Sequence, residues 1–346
     1  MEFLSDYGLF LAKTVTFVVA LLIVIGSLAS LGSRKRDAEG HIEVTALNDR
    51  FEDWEDQVKS VVLDETAFKQ DRKEAKKKYK AEQKAAKKHK EAAPLKPRLY
   101  VLDFDGDIKA SAVEHLRHEI SAVLTLARPE DEILVKLESG GGMVHSYGLA
   151  ASQLDRIRSK GIPLTVAIDR VAASGGYMMA CIANRIMAAP FAVVGSIGVI
   201  AQLPNFHRLL KQHNVDFEMH TAGDYKRTLT VFGENTDEGR EKFLEELEET
   251  HQLFKEFVSE HRPQVAIEKV ATGEVWYGSK ALLQNLVDEI RTSDEYILSK
   301  REQSDIFEVK YVAKKTLAEK VGVAAHSALD AVIGKWVTKA SQRPLA

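Results

Sequence analysis

Apolar and polar residues divide the chain into an uncharged stretch, a charged stretch and a long alternating region. The uncharged stretch, residues 14–32, runs for 19 positions that are rich in valine, leucine and isoleucine. About 20 such residues cross the hydrocarbon layer of a bilayer as a helix, so we predict an uncleaved membrane anchor within residues 1–33. A cleaved signal peptide is the alternative, because residues 27–29 offer a cleavage site, but Glu2 and Asp6 are unusual at its start.

A tether rich in charge is predicted between the anchor and the core, at residues 34–97. Residues 44–63 place apolar side chains at roughly helical spacing. Residues 69–90 follow with eleven lysines and arginines against three acidic residues, and they contain neither glycine nor proline. We predict a solvated charged helix that ends before Pro94 and Pro97. Contact of its basic run with anionic lipid headgroups is the functional alternative.

Beyond residue 97, short apolar runs alternate with amphipathic stretches. The apolar runs predict strands at 98–104, 133–137, 163–168 and 185–188. The amphipathic stretches predict helices at 112–127, 147–158, 178–183 and 237–260. This alternation is typical of an α/β core with a parallel sheet, which we place at residues 98–300. A C-terminal strand and an amphipathic helix are predicted for residues 301–346, the helix serving as a partner surface or lying on a membrane.

Composition narrows the classes of function. The formal net charge of −3 gives no support for a nucleic-acid partner. Neither a G-x-G-x-x-G run nor a Gly-Lys-Ser/Thr phosphate loop is present. The eleven histidines are scattered, and the single cysteine, Cys181, lies among apolar residues. We therefore predict no metal, no cofactor, no nucleic acid and no internal disulfide, and we interpret Cys181 as a core residue.

Ser174 stands among three sequence features that together indicate a site for acyl transfer. It is followed by two glycines that leave the backbone beside its hydroxyl unshielded. Upstream, a buried strand enters the glycine turn 139–142, whose amides suit a developing oxyanion. Downstream, Lys226 is a candidate base, because an unprotonated lysine in a buried site accepts a serine proton. As alternatives, Ser174 is a helix N-cap, and the lysine is a surface residue paired with Asp224 or Glu234.

Several short runs give the chain a family resemblance. They comprise Leu137 to Ser139 with Gly141 and Gly142, residues 172–180, 195–199, 220–223 and 225–228, and residues 276–278 with 286–290. With these runs the chain resembles the membrane-anchored Ser-Lys serine peptidases of the signal peptide peptidase A type, from the anchor to about Ile290. Two positions depart from the family pattern. Gly140 replaces a common proline and loses its rigidity, and Asn285 replaces a usual glycine while still favouring a left-handed backbone.

The resemblance implies an α/β fold of the Clp protease/crotonase-like ββα-spiral type, preceded by a transmembrane helix. It implies a serine endopeptidase that cleaves peptides or signal-peptide remnants through an acyl-enzyme. The roles it assigns are Ser174 as nucleophile, Lys226 as base, the amides of Gly175, Gly141 and Gly142 as oxyanion hole, and Ser196 as the group that orients the lysine. It also implies a bacterial inner-membrane location and a homo-oligomer in which the serine and the lysine of one site come from neighbouring subunits.

Membrane orientation and activity both have open alternatives in the sequence. Residues 34–36 are basic and follow the apolar stretch, against only Lys13 before it, so the positive-inside rule places the rest of the chain in the cytoplasm. The resemblance implies instead that the peptidase domain faces outward. A crotonase-type acyl-CoA enzyme is one alternative activity, although it has little use for an anchor. A membrane scaffold with a dead site is the other, and only Gly140 suggests it.

Overall fold

A computed structural model of the protein describes residues 7–10, 13–14, 16–17, 40–74, 77 and 96–314. The chain divides into two units, Ile42–Tyr311 and the terminal segments Met1–His41 with Val312–Ala346. The core and the candidate site both lie in the first unit. Among the described residues no helix is long and apolar enough to cross a membrane. Most of the predicted anchor and the predicted C-terminal helix at 315–340 lie outside the described residues.

Strands and helices alternate along the described chain. The strands are β1 (His41–Ala46), β2 (Arg98–Gly106), β3 (Glu132–Ser139), β4 (Leu164–Ile168), β5 (Val171–Ala173), β6 (Arg185–Ala188), β7 (Val193–Gly195), β8 (Val275–Tyr277), β9 (Glu289–Ile290) and β10 (Asp305–Val312). The helices are α1 (Leu47–Val62), α2 (Val113–Leu124), α3 (Val144–Ser159), α4 (Gly175–Ala180), α5 (His207–Gln212), α6 (Asp237–His261), α7 (Ile267–Val270), α8 (Gly278–Leu283) and α9 (Ser293–Lys300). Residues 65–74 are helical as well.

The strands form one sheet that branches at β3. Its main path runs β1-β10-β2-β3-β4-β6-β9, and the pairs from β10 to β9 are parallel. The branch leaves from Ser139, which pairs with Ala172 in β5, and continues to β7 and the antiparallel β8. Because β3 and β5 are parallel, the turn after Ser139 and the residue after β5 lie at the same edge of the sheet.

Apolar side chains cover both faces of the central strands. The larger core packs helices α2, α3 and α4 against one face, with Leu102, Val135 and Val166 fully buried there. On the other face, Leu99 and Leu134 pack against α1 and α9. Burial on both faces explains why β2 and β3 read as nearly continuous apolar runs in the sequence.

Most predicted elements of the core are confirmed with small shifts at their ends. The predicted strand at 185–188 is β6, and the predicted helix at 237–260 is α6. Helix α4 begins at Gly175, three residues earlier than predicted, because the glycine pair forms its first turn. Strands β1, β5, β7, β8 and β9 were not predicted. The division into 1–33, 34–97, 98–300 and 301–346 stays a prediction.

Candidate active site

Ser174 occupies the N-cap position of α4 in a strained conformation. Its φ of 52° and ψ of −120° lie outside the regions that L-residues favour, and its side chain forms no capping hydrogen bond. Such a backbone costs ~1–3 kcal/mol and persists where the surrounding structure imposes it. The amide of Ser174 donates to the carbonyl of Gly195 at 2.8 Å, and its carbonyl accepts from Met178 at 3.0 Å. The N-cap interpretation would require the Ser174 hydroxyl to accept a hydrogen bond from the first turn of α4, and it does not.

The two glycines after Ser174 allow α4 to begin in close contact with its neighbours. A Cβ on Gly175 would fall on the ring of Tyr147, and a Cβ on Gly176 would lie 2.6 Å from the carbonyl oxygen of Ser139. Real Cβ atoms do not approach this closely. The Gly-Gly pair is thus required by packing of the helix start against β3 and α3.

The glycine turn after β3 lies directly beside the candidate nucleophile. Gly141 has a φ of 86°, and a Cβ built there would lie 2.7 Å from both the amide nitrogen of Gly175 and the Cβ of Ser174. The Gly141 N–H donates to the Ser139 hydroxyl at 3.0 Å. A Cβ on Gly142 would collide with the backbone of Ile108, whereas one on Gly140 would meet nothing within 4 Å. The structure therefore brings together Ser174 and the glycines predicted to form the oxyanion hole.

An apolar cavity of about 190 Å³ opens beside Ser174. Ser174, Gly175 and Gly142 lie on its wall. The apolar side chains that line it are those of Val144, Met178, Val199, Leu253, Phe254 and Phe257. Three of these come from α6, which the sequence predicted only as an amphipathic helix. Their spacing on one helix face was the available signal, but it does not distinguish a cavity wall from a core.

Lys226 lies in the connection between α5 and α6 and does not line the cavity. Its side chain is exposed, and its amide donates to the carbonyl of Gly223 at 3.2 Å. Within the described chain it forms no ion pair with Asp224 or Glu234. The single chain therefore does not provide the buried environment that the sequence analysis expects around a lysine base.

Ser196 follows the strand β7 that holds the amide of Ser174. It has a φ of 51°, and its own amide donates to the carbonyl of Glu274 at 2.7 Å. Since Ser174 donates to the carbonyl of Gly195, the residue before Ser196, the two serines come from adjacent backbone segments. Ser196 is half-buried and does not line the cavity.

Two other groups near Ser174 are buried and protonated. Burial raises the pKa of the Cys181 thiol, and its Sγ lies 3.2 Å from the carbonyl of Met178. A buried thiol that keeps its proton is a poor nucleophile, so the interpretation of Cys181 as a core residue is confirmed. Burial likewise raises the pKa of Tyr147, whose hydroxyl remains a hydrogen-bond donor.

Comparison with known proteins identifies the family of the chain. Residues 2–154 match the model of the peptidase family S49 N-terminal region, and residues 156–306 match the model of peptidase family S49. A protein of Haemophilus influenzae named "Probable protease SohB" is 49% identical over 346 residues, which cover 99% of this chain and 98% of the relative. A protein of the same name from Buchnera aphidicola is 48% identical over 92% of this chain and 93% of the relative.

Two more distant proteins are also similar to parts of the chain. The protein "Protease 4" of Haemophilus influenzae is 28% identical over 53% of this chain and 30% of its own length. A solved structure of the 1510-N membrane-bound stomatin-specific protease covers 59% of this chain and 84% of that chain, with 14% identity and a TM-score of 0.39.

The chain belongs to peptidase family S49. It is a serine peptidase, a hydrolase, and its branched, mostly parallel sheet with helices on both faces has the α/β architecture that the sequence predicts. Of the classes of activity that the sequence leaves open, the peptidase is therefore confirmed.

Proposed function

We propose that Ser174 is the nucleophile of a membrane-anchored serine endopeptidase. The observation that carries this proposal is the strained Ser174 itself, whose hydroxyl is not engaged in capping and lies at the wall of an apolar cavity. The backbones of Gly141 and Gly175 meet beside it. A nucleophile, amide donors and a binding cavity are the parts that acyl transfer requires.

The reaction has two steps. The Ser174 oxygen bonds to the carbonyl carbon of the substrate peptide as its proton passes to the neutral amine of Lys226. The amides of Gly175 and of Gly141 or Gly142 stabilise the oxyanion, where each donor contributes roughly 3 kcal/mol. The carbon–nitrogen bond then breaks, and the lysine returns the proton to the leaving amine. Water attacks the resulting ester by the same route and releases the acyl group.

Lys226 acts, in this proposal, in the site of a neighbouring subunit. Every residue of 211–227 is exposed in the single chain, and several exposed apolar side chains lie between residues 203 and 225. They are Leu203, Phe206, Leu209, Val215, Phe217, Met219 and Tyr225, each more than two-fifths exposed. Exposed apolar side chains gathered in one segment of the chain favour a protein interface. Packing against a second copy would bury the lysine, and Ser196 then orients its amine by a hydrogen bond.

The substrates that suit the cavity are peptides with an apolar side chain at the cleaved bond, such as signal-peptide remnants. The six apolar side chains on its wall provide an environment that favours burial of such a group. Residues 14–32 would anchor the enzyme as a single helix in the bacterial inner membrane, where such peptides are released. In this proposal the active site meets its substrate at a membrane surface.

Labelling with a fluorophosphonate probe tests the nucleophile. The wild-type protein is expected to bind the probe covalently and to hydrolyse an apolar peptide, whereas Ser174→Ala does neither and keeps its melting temperature. Ser152→Ala is the matched control, because that serine is exposed and bonds only the carbonyl of Gly148. Ser196→Ala should label more slowly. Equal labelling of Ser174→Ala and the wild type would overturn the proposal.

A further inference from the structure

Tyr147 is a fully buried residue of α3 whose hydroxyl reaches the glycine turn. It lies 2.5 Å from the Ser139 hydroxyl and donates to the carbonyl of Asp107 at 2.8 Å. Because the tyrosine proton goes to that carbonyl, the Ser139 hydroxyl donates to the tyrosine oxygen. The Ser139 oxygen in turn accepts from the Gly141 N–H. The four groups form a chain of hydrogen bonds that runs in one direction from the glycine turn, through the buried tyrosine, to the loop after β2.

The far end of this chain is itself fixed. The carboxylate of Asp107 accepts from the amides of Lys109 and Ser111 at 3.1 and 2.8 Å, which holds the loop after β2. Gly106, the residue before it, has no room for a side chain, because a Cβ there would lie 2.6 Å from the tyrosine hydroxyl. The hydroxyl of Tyr147 is therefore held between two loops that follow adjacent parallel strands.

The ring of Tyr147 supports the other side of the oxyanion hole. A Cβ on Gly175 would meet the ring, so Gly175 lies directly on it. Tyr147 thus contacts Gly175 with its ring, and through its hydroxyl and Ser139 it restrains the glycine turn at Gly141.

We propose that Tyr147 is a positioning residue that sets the separation of the two halves of the oxyanion hole. The inference rests on the proposed function of Ser174, Gly175 and Gly142. Because the Gly141 N–H donates to Ser139, the amide that the restrained turn offers to the oxyanion is that of Gly142. Oxyanion donors act only when they are held at hydrogen-bond distance from the oxygen of the transition state. A hydroxyl that restrains the turn carrying Gly142 therefore affects the chemical step more than substrate binding.

Tyr147→Phe tests this directly, because it keeps the ring against Gly175 and removes only the hydroxyl. We expect kcat to fall about tenfold with KM unchanged, since the loss is confined to the transition state. The inhibition constant of a peptide aldehyde, which forms a tetrahedral adduct with the serine, should rise about as much as kcat/KM falls.

Tyr177→Phe is the matched control for loss of a buried hydroxyl. Tyr177 is fully buried as well, but its hydroxyl donates to the carbonyl of Leu286 at 2.9 Å, away from the glycine turn. This variant should melt at a lower temperature and keep the wild-type kcat and aldehyde inhibition. A fall in its kcat equal to that of Tyr147→Phe would attribute both effects to general destabilisation and would overturn the inference.

Ser139→Ala breaks the same chain from the turn side. It should reproduce the kcat loss, and the double variant with Tyr147→Phe should be no slower than either single variant, because the two residues act in one network. If Tyr147→Phe fails to fold, the same measurements on Ser139→Ala decide the question. Wild-type kcat and aldehyde inhibition in these variants would overturn the positioning role, while fluorophosphonate labelling of Ser174 would still support the proposed function.

Discussion

The nucleophile region and the lysine region of this peptidase differ in how fully the single chain builds them. Ser174, Gly141 and Gly175 lie at the edge of a buried parallel sheet, in contacts that leave no space for added side chains. Lys226 lies in a connection where residues 211–227 are all exposed. The first region is determined by the packing of one chain. The lysine region is exposed in the single chain, and only a contact with another molecule could bury it.

This difference gives the two regions different sensitivities. A substitution at the sheet edge should lower the activity of each subunit by itself. A substitution in the exposed connection should lower activity by weakening the association of subunits. Contiguous apolar surface is rare on monomers and is a common mark of interfaces. The exposed connection therefore provides both the proposed base and the surface that would bury it.

The largest effect is expected at the dyad. Ser174→Ala and Lys226→Ala should each reduce kcat by about 10⁴-fold or more, because loss of one member of a catalytic dyad costs about as much as loss of both. Both variants should keep the wild-type melting temperature, since Lys226 is exposed and Ser174 makes no side-chain cap. Steady-state hydrolysis and a thermal melt provide the measurement. Appreciable turnover in either variant would remove that residue from the mechanism.

A charge on α5, the helix before the exposed connection, should separate assembly from folding. Leu209 lies in α5 and is 50% exposed. Leu209→Asp should lower activity about a hundredfold at low protein concentration, because a buried unpaired carboxylate opposes association. Sedimentation velocity should show smaller particles with an unchanged melting temperature. Leu298→Asp, at a residue of α9 that is 56% exposed, is the control and should assemble normally. Normal assembly of Leu209→Asp would exclude this surface as the interface.

Gly148 offers a smaller and more local test of the cavity. It lies on the wall of the cavity in the middle of α3, and a Cβ there would meet nothing within 4 Å. Gly148→Ala should stabilise the helix by about 1 kcal/mol and leave activity nearly unchanged. Gly148→Leu should fill the cavity and reduce kcat/KM for peptides with a large apolar side chain about tenfold. Equal kcat/KM values for the two variants would show that the cavity does not bind substrate.

Glu119 tests the stability of the core separately from the site. It is 5% exposed, its Oε1 accepts from the amide of Tyr311 at 2.8 Å, and burial raises the pKa of its carboxyl to about 7. The folded state therefore holds this proton more tightly than the unfolded chain. The stabilisation is complete below about pH 4.5 and is lost as the pH rises through about 7.

Melting temperatures of the wild type and Glu119→Gln measure this contribution. The wild-type melting temperature should fall more steeply than that of the variant between about pH 5 and about pH 8, because the amide stays neutral. If the melting temperatures of the two proteins changed equally with pH, Glu119 would have the same pKa in the folded and unfolded states.

The sequence predicted the features that short local patterns specify. A serine before two glycines, a glycine turn after a buried strand and the alternation of strands and helices all depend on near neighbours. Asn285 is a clear case, because its predicted left-handed backbone is observed with a φ of 59°.

Features that depend on distant contacts were not predictable in this way. Strands β5, β7 and β8 have three residues each, which is too short for a periodic pattern, and they form because Ser139 and its neighbours provide a branch point. The cavity wall on α6 and the hydrogen bonds of Tyr147 also require the tertiary fold. The proposed burial of Lys226 would require a second copy of the chain, because the lysine is exposed in the described single chain.

Subunit complementation tests the shared site most directly. Ser174→Ala and Lys226→Ala proteins, each inactive, are mixed under conditions that allow subunits to exchange, and exchange is verified by energy transfer between labelled copies. Recovery of hydrolysis is predicted, because some sites then combine Ser174 of one subunit with Lys226 of another. A mixture that exchanges fully and stays inactive would place both residues in one subunit and contradict the shared site.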